Sequence, residues 1–271
     1  MKKIAFTLFI VILLMFGCKQ EPKTFSTHTI SGNKYWITTY ANEGEKIGAE
    51  VSYDIVWPDQ GVISAAAERE LMTICFGDSI SKSFDEALRK WVGNAHIVED
   101  GYGEYTPVDK LDTIEVGESH TLESSCKVDS TLALFIIKRY DYAFHAAHGL
   151  YSVDYLTVDL NSGEAVHITD LVTDTALLCE AIARAIQDLD VNKDIRECLY
   201  EEFGDAERMP NNFNFLIDSA RNGIIVEYGL YEIAPYACGI QSVYLPIFWL
   251  SKHVPLTAYA KKLFGPDSYI E

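Results

Sequence analysis

The chain has 271 residues, of which 48% are hydrophobic, and its 40 acidic and 22 basic residues give a net charge of −18. A chain of this length and apolar content can bury a large core, which excludes a disordered or fibrous protein. The negative charge repels nucleic acid, so a nucleic-acid partner is not expected.

The N-terminus has the layout of a secretory signal that ends at a lipid-modified cysteine. A basic start and an apolar run over residues 4–16 lead to Cys18. The run is shorter than the ~20 residues that a membrane-spanning helix needs. The sequence therefore predicts a lipoprotein signal peptide over residues 1–17, lipidation of Cys18 and a tether over residues 18–24, with an ordinary cleaved signal peptide as the alternative. The expected location is the periplasmic or surface side of a bacterial cell envelope, where the lipid holds the protein to a membrane.

The first structured part alternates between strand and helix patterns. Aromatic and β-branched residues over residues 24–58 predict a small antiparallel sheet. Apolar residues at three- and four-residue spacing predict a helix between Gly61 and Gly77. A second helix is predicted from Ser83 to Val92, where Ser83 and Glu86 have the spacing of a capping box.

The second half repeats this order of strands followed by helices. Strands are predicted over residues 114–160, with the apolar run Leu132 to Ile137 at the centre of the sheet. The elements predicted after them are a turn at residues 161–163, an amphipathic helix over residues 177–189, a shorter helix over residues 193–203, and strands over residues 213–217 and 224–230. Strands grouped in runs with helices between the groups indicate an α+β fold, with antiparallel sheets and helices packed on one face.

Five cysteines follow Cys18, at positions 75, 126, 179, 198 and 238. None forms a CxxC pair, so a zinc site built from closely spaced thiolates is not predicted. Cys179 and Cys198 fall on successive predicted helices and could be bridged if these helices form an antiparallel hairpin. The favoured interpretation is that both are buried free thiols, with the bridge as the alternative.

Four short motifs occur in a fixed order along the chain: AAHG at residues 146–149, DLNSG at 159–163, NFNFLI at 212–217 and YEIAPYACG at 231–239. This series resembles a family of exported domains of unknown function, DUF4163 followed by DUF3298. The family includes the extracellular domain of lysozyme-sensing anti-sigma factors and the non-catalytic part of certain peptidoglycan deacetylases. The resemblance covers residues 25 to 255. It implies a DUF4163-like part over residues 25–128 and a DUF3298-like part over residues 129–271, packed as one module.

The resemblance implies a binding module without chemistry of its own, whose ligand is cell-wall glycan such as peptidoglycan or a cationic protein such as lysozyme. Sigma-factor inhibition and deacetylation belong to other segments of those proteins and are not expected from it. In this chain His145 and Ala146 occupy places where family members commonly carry glycines. Charge agrees with a cationic ligand, because loss of the two leader lysines would bring the net charge from −18 to −20.

The candidate binding residues surround the loop motif and the last motif: His145, His148, Tyr151, Tyr231, Glu232 and Tyr236. The two histidines have i,i+3 spacing, but no acidic residue accompanies them, so no metal site and no cofactor are predicted. Tyrosine faces with one polar edge suit sugar stacking and protein contacts.

No catalytic residue is assigned, because a GxSxG motif is missing and no other hydrolase signature is recognised. Two alternatives stay open. An enzyme acting on envelope glycan would show a pocket where His148 meets a carboxylate of shifted pKa. A structural or assembly factor that binds another envelope protein would show a large exposed apolar patch.

Overall fold

The computed structural model of the protein describes residues 24–39, 46–77, 80–94, 105–204, 207–211 and 213–266. The predicted signal peptide, Cys18 and nearly all of the predicted tether lie outside the described residues. No helix among the described residues combines the length and apolarity needed to cross a membrane.

Seven strands of the described chain form one large sheet in the order β3-β1-β2-β4-β5-β6-β7. Their bounds are β1 (Thr27–Thr39), β2 (Lys46–Pro58), β3 (Thr106–Val108), β4 (Val116–Asp129), β5 (Leu132–Tyr142), β6 (Leu150–Asp159) and β7 (Glu164–Ala165). The apolar run that begins at Leu132 forms β5, which pairs with β4 on one side and β6 on the other. The turn over residues 161–163 joins β6 to β7, with Gly163 at a φ of +75° that glycine adopts without steric cost.

Neighbouring strands in this sheet are antiparallel, with one exception that the sequence did not indicate. β2 and β4 run parallel, with Ala49 opposite Glu118 and Asp54 opposite Glu123. A parallel pair needs a long crossover connection. The segment between these two strands supplies it, because it contains two of the described helices and β3. The predicted α+β class is confirmed, and the large sheet is mixed rather than antiparallel.

Two helices cover one face of the large sheet: α1 (Ala65–Phe76) and α2 (Phe84–Asn94). Ser64 caps α1 by accepting a hydrogen bond from the backbone of Ala67 at 3.1 Å. Leu71 from α1, Leu122 from β4 and Phe135 from β5 belong to one buried cluster. The predicted helix over residues 61–77 is therefore confirmed with one buried face.

The predicted capping box at the start of α2 forms only in part. The hydroxyl of Ser83 accepts a hydrogen bond from the backbone of Glu86 at 3.3 Å. The carboxylate of Glu86 accepts from the backbone of Lys82 at 3.1 Å instead of returning to Ser83. This hydrogen bond from Lys82 lowers the pKa of the Glu86 carboxyl.

The C-terminal half packs around the amphipathic helix that was predicted over residues 177–189. The remaining elements are α3 (Ile168–Leu171), α4 (Thr175–Asp188), α5 (Lys193–Arg196), α6 (Glu201–Gly204), β8 (Phe215–Asp218), β9 (Gly223–Tyr228), β10 (Gln241–Pro246), α7 (Ile247–His253) and α8 (Ala258–Phe264). β8, β9 and β10 form a small antiparallel sheet. Leu178 and Ile182 of α4 are buried in one core with Val226 of β9. The helix predicted over residues 193–203 is two short helices, and the strand predicted to reach Leu230 ends at Tyr228.

Asn214 joins the small sheet to the large one. Its Oδ1 accepts from the backbone N–H of Tyr155 at 3.1 Å, and its Nδ2 donates to the carbonyl of Val153 at 2.7 Å. One side chain thus provides the hydrogen-bond partners of two backbone groups on the edge of β6. The predicted division between residues 128 and 129 falls within β4, and the large sheet contains strands from both sides of it. That division stays a prediction.

Candidate functional site

Three of the predicted binding residues form one aromatic cluster. The ring of His148 stacks on the ring of Tyr236, with centroids 3.7 Å apart and an angle of 20° between the planes. The ring of Tyr231 lies 6.0 Å from His148 and 5.6 Å from Tyr236. Tyr231 keeps 49% of its surface exposed. We call these three residues the aromatic cluster.

Hydrogen bonds fix the orientation of each ring in the aromatic cluster. Nδ1 of His148 lies 3.2 Å from the carbonyl oxygen of Gly149, and Nε2 lies 2.8 Å from the hydroxyl of Tyr231. A carbonyl can only accept, so Nδ1 carries the hydrogen, and in the neutral ring Nε2 then accepts from Tyr231. The hydroxyl of Tyr236 donates to the same carbonyl of Gly149 at 3.2 Å. The rings are thereby held in place before any ligand arrives.

The cluster joins two loops whose backbone takes unusual conformations. His148 lies between β5 and β6, and both tyrosines lie between β9 and β10. His145 has a φ of +64°, in the left-handed region that favours glycine. The resemblance places a family glycine at this position, so the loop keeps a glycine-like conformation although the residue differs. Tyr231 also has a φ of +64°, which turns the chain at the start of the YEIAPYACG motif.

The other three predicted residues lie near the aromatic cluster but contact other partners. The carboxylate of Glu232 accepts from the backbone N–H of Gly229 at 2.7 Å and so closes the turn before it. The ring of His145 packs on the adjacent Phe144, with centroids 3.9 Å apart. Tyr151 lies on β6 opposite Tyr140 of β5. The rings of His145 and His148 thus pack on different aromatic residues, Phe144 and Tyr236.

A disulfide links Cys198 to Cys238, with Cα atoms 6.0 Å apart. The favoured interpretation of two buried free thiols holds for Cys179, which is a buried free thiol on α4, and is wrong for Cys198, which is bridged to Cys238 and not to Cys179. Cys238 is the last residue of a short helical turn, Tyr236–Cys238. The bond ties this turn, and with it Tyr236, to the segment after α5.

Two buried carboxyl groups have one oxygen without a hydrogen-bond partner among the described residues: Glu118, 1% exposed, and Glu227, 6% exposed. Tyr105 donates to the other oxygen of Glu118 at 2.9 Å. Tyr155 donates to the other oxygen of Glu227 at 2.9 Å, and Ser242 donates to it at 3.0 Å. Burial raises the pKa of both carboxyl groups, because it disfavours the charged form.

Neither of these carboxylates is a hydrogen-bond partner of His148. The described contacts of His148 are a phenol hydroxyl, a carbonyl and an aromatic ring. Burial, followed by the negative charges of Glu123 and Glu227, raises the pKa of the Tyr151 hydroxyl. A phenol with a raised pKa stays protonated and donates hydrogen bonds. The arrangement therefore offers stacking faces and hydroxyl groups.

No group of three or more His, Cys, Asp or Glu side chains within the described ranges could hold a metal ion. The free thiols are buried or partly buried, and burial raises the pKa of Cys75 to about 12 and that of Cys126 to about 11. Thiols with such pKa values are poor nucleophiles at neutral pH. Exposed large apolar side chains include Tyr140 at 38% and Tyr151 at 37%, which adjoin each other on the large sheet.

Most residues on the face of the large sheet opposite α1 and α2 were not singled out from the sequence, with Tyr151 as the exception. Side chains alternate between the two faces of a strand, so the neighbours of the buried residues point to the other side. We call the following set the open face: Ser31, Asn33, Ser52, Asp54, Thr121, Glu123, Lys138, Tyr140 and Tyr151. A groove of about 420 Å³ lies over its first six residues. The alternation of polar and apolar residues in β2 and β4 was the signal that could have identified it.

No family model and no curated protein matches this sequence. The chain is similar in structure to a DUF3298 family member from Bacteroides fragilis, with a TM-score of 0.54, 17% identity, and coverage of 85% of this chain and 93% of that one. It is also similar to a DUF3298 family protein from Pseudomonas aeruginosa, with a TM-score of 0.54, 15% identity, and coverage of 88% and 97%. The chain therefore has a DUF3298-like fold, which confirms that part of the resemblance. The likeness to lysozyme-sensing anti-sigma factors and to deacetylases stays a prediction.

Proposed function

We propose that this protein is a lipid-anchored binding module of the bacterial cell envelope, and that it recognises cell-wall glycan through the aromatic cluster. The observation that carries the proposal is the fixed stack of His148, Tyr236 and Tyr231, with Tyr231 half exposed. An aromatic ring with an apolar face and a polar edge suits the two sides of a sugar ring. Rings that are already ordered lose little entropy when the ligand binds.

The contacts of His148 support binding over catalysis. A general acid–base residue needs a partner that tunes or orients it for proton transfer, and a carboxylate is the usual one. The described partners of His148 are neutral groups that hold the ring flat against Tyr236. The two carboxyl groups of raised pKa, Glu118 and Glu227, are bonded to tyrosines instead. The proposed protein therefore binds its ligand without changing it.

A cationic protein such as lysozyme is the second candidate ligand, and the charge of the chain favours it. A net charge of −18 raises the rate at which basic proteins encounter the molecule. Exposed tyrosines also serve as binding hot spots between proteins. The two ligands differ in salt dependence, because binding of a basic protein weakens with ionic strength and stacking on a neutral sugar does not.

The membrane anchor is a separate part of the proposal and has its own test. Expression of the full chain in a bacterium, with radiolabelled palmitate, is expected to label the wild type and leave the variant Cys18→Ser unlabelled. The variant is then expected in the soluble fraction. Labelling of Cys18→Ser would show that the lipid is elsewhere, and release of the wild-type protein in soluble form would refute the anchor.

The binding proposal is tested by isothermal titration of the mature protein with soluble peptidoglycan fragments. We expect Tyr231→Ala and Tyr236→Ala each to weaken binding by about 10- to 100-fold, the range of an aromatic hot spot. Val191→Ala removes an exposed apolar side chain from another part of the surface and is expected to change nothing. Unchanged affinity in both folded tyrosine variants, or no binding by the wild type, would refute the proposal. Parallel titration with lysozyme over a range of salt concentrations separates the two ligands.

A further inference from the structure

We infer that the binding surface continues from the aromatic cluster across the open face of the large sheet, and that this surface fits a linear glycan without acidic groups. The inference rests on the proposed function and extends it. It concerns a second, larger contact area, made by residues that lie far from the aromatic cluster in sequence. It also makes a prediction about ligand length and ligand charge.

The first supporting feature is a row of polar side chains that crosses five neighbouring strands. Cross-strand pairing places Asn33 opposite Ser52, Ser52 opposite Thr121, Thr121 opposite Tyr140, and Tyr140 opposite Tyr151. The hydroxyl groups of Ser52 and Thr121 are 3.1 Å apart and hydrogen-bonded. Neighbouring strands are about 4.8 Å apart, so the row spans roughly 19 Å. A ligand that follows this row lies across the strands.

A second row runs beside the first and carries charge. Asp54 lies opposite Glu123, and Glu123 lies opposite Lys138. The hydroxyl of Ser31 donates to Asp54 at 3.0 Å. Two like charges in directly opposed positions destabilise a sheet. Two adjacent carboxylates also repel an anionic ligand, so this row disfavours the binding of acidic glycans.

Gly149 connects the open face to the aromatic cluster. Its carbonyl accepts the hydrogen bonds from His148 and Tyr236. On its other side, the ring of Tyr140 is so close that an added Cβ at Gly149 would overlap it. Gly149 therefore lies between the aromatic cluster and the open face and contacts residues of both. A chain molecule that stacks on the aromatic cluster can continue over Tyr140 to Thr121 and Ser52.

The chemistry of the groove favours a hydroxyl-rich ligand. Its lining consists mainly of hydroxyl, amide and carboxylate groups from Ser31, Asn33, Ser52, Asp54, Thr121 and Glu123. Hydroxyl groups both donate and accept, so they match the hydroxyls of a sugar in either direction. The central part of a protein–protein contact is instead apolar and aromatic. A neutral glycan fits both the polar lining and the carboxylates, and a polyanion does not fit them.

The test is calorimetric titration with the dimer and the hexamer of β-1,4-linked N-acetylglucosamine, and with a hexamer of galacturonic acid. For the wild type we expect the neutral hexamer to bind at least about tenfold more tightly than the dimer, because only the hexamer reaches the groove. The double variant Ser52→Ala, Thr121→Val removes the paired hydroxyls with little change in volume. It is expected to lose most of this gain and keep the affinity for the dimer. Ser125→Ala, which removes an exposed hydroxyl of β4 outside the groove, is the matched control.

The charge of the groove is tested with Asp54→Asn, Glu123→Gln, which is expected to allow the galacturonic acid hexamer to bind. Equal affinity of the wild type for neutral dimer and hexamer would overturn the extended surface and leave the aromatic cluster standing. Binding of peptidoglycan fragments without binding of either neutral oligomer would overturn the inference of a neutral ligand, and absence of binding to all three would overturn the proposed glycan function itself. A third result would also make the inference wrong. If poly-lysine binds the wild type more tightly than the variant Asp54→Asn, Glu123→Gln, and the neutral hexamer does not bind, the open face binds a basic protein.

Discussion

Removal of the disulfide between Cys198 and Cys238 is expected to destabilise the protein strongly. The bond closes a loop of 40 residues that contains α6, β8 and β9. In the chain-entropy model, a loop of this length restricts the unfolded chain by about 4 kcal/mol at 25 °C. In a domain of this size each kcal/mol changes the melting temperature by about 2–4 °C, so the expected decrease is about 8–16 °C.

The assay compares thermal and urea unfolding of the oxidised protein, the reduced protein and the double variant Cys198→Ser, Cys238→Ser. The reduced wild type and the variant are expected to unfold at the same midpoint, and reductant is expected to leave the variant unchanged. Cys75, Cys126 and Cys179 are present in all three samples, so they cancel in the comparison. Glycan affinity is expected to decrease as well, because Tyr236 lies two residues before Cys238 on the turn that the bond holds.

Two results would refute this reasoning. If mass spectrometry shows the bond intact and reduction leaves both midpoints unchanged, loop closure does not stabilise this fold. If the purified protein, isolated without reductant, contains five free thiols beyond Cys18, the pairing itself is wrong. A loss of glycan affinity without any loss of stability would mean that the bond acts on the position of Tyr236 alone.

Three further outcomes follow from individual contacts. Asn214→Ala leaves two backbone groups of β6 without their side-chain partner and is expected to lower the urea unfolding free energy by about 2–4 kcal/mol, whereas Asn211→Ala, at an exposed position, is expected to have no effect. Burial raises the folded pKa of Glu227, so the wild type loses stability as pH rises from the ordinary glutamate value to the raised one. Glu227→Gln cannot ionise, so its free energy of unfolding is expected to rise relative to that of the wild type over this pH range. If urea titrations show that the difference between the two proteins does not change with pH, the assignment is contradicted. Gly149→Ala places a methyl group into the ring of Tyr140 and is expected to cost about 1–3 kcal/mol and to weaken glycan binding, as measured by thermal unfolding and calorimetry.

The elements that sequence patterns predicted best are those with local causes. α4 was predicted from apolar residues at helical spacing, and its buried face includes Leu178 and Ile182. The hairpins of the large sheet were predicted from alternation and turn residues such as Gly163. The helix predicted after α4 was less accurate, because the segment over residues 193–203 breaks near Cys198. The disulfide and a hydrogen bond from the backbone N–H of Tyr200 to the carbonyl of Ile233 fix the chain there.

The candidate site was only partly predictable. His148, Tyr231 and Tyr236 were expected to lie together because two motifs of the resembled family contain them, and the structure brings their rings into contact. The resemblance gave no reason to expect the roles of Glu232 as a turn-closing acceptor or of Tyr231 as a residue with positive φ. These roles depend on backbone geometry that no spacing rule encodes.

Local periodicity depends on residues close to one another in the chain, so the amino-acid sequence alone determined the α+β class. The leader pattern and the net charge are also properties of the sequence alone, and export and the absence of a nucleic-acid partner stay predictions from them. The parallel pairing of β2 with β4, the partner of Cys198 and the polar rows of the open face were decided only by tertiary structure. Each depends on the register between distant segments, as the hydrogen bond between Ser52 and Thr121 illustrates across 69 positions. A shift of one residue in that register would turn the open face into the opposite one, because side chains alternate along every strand.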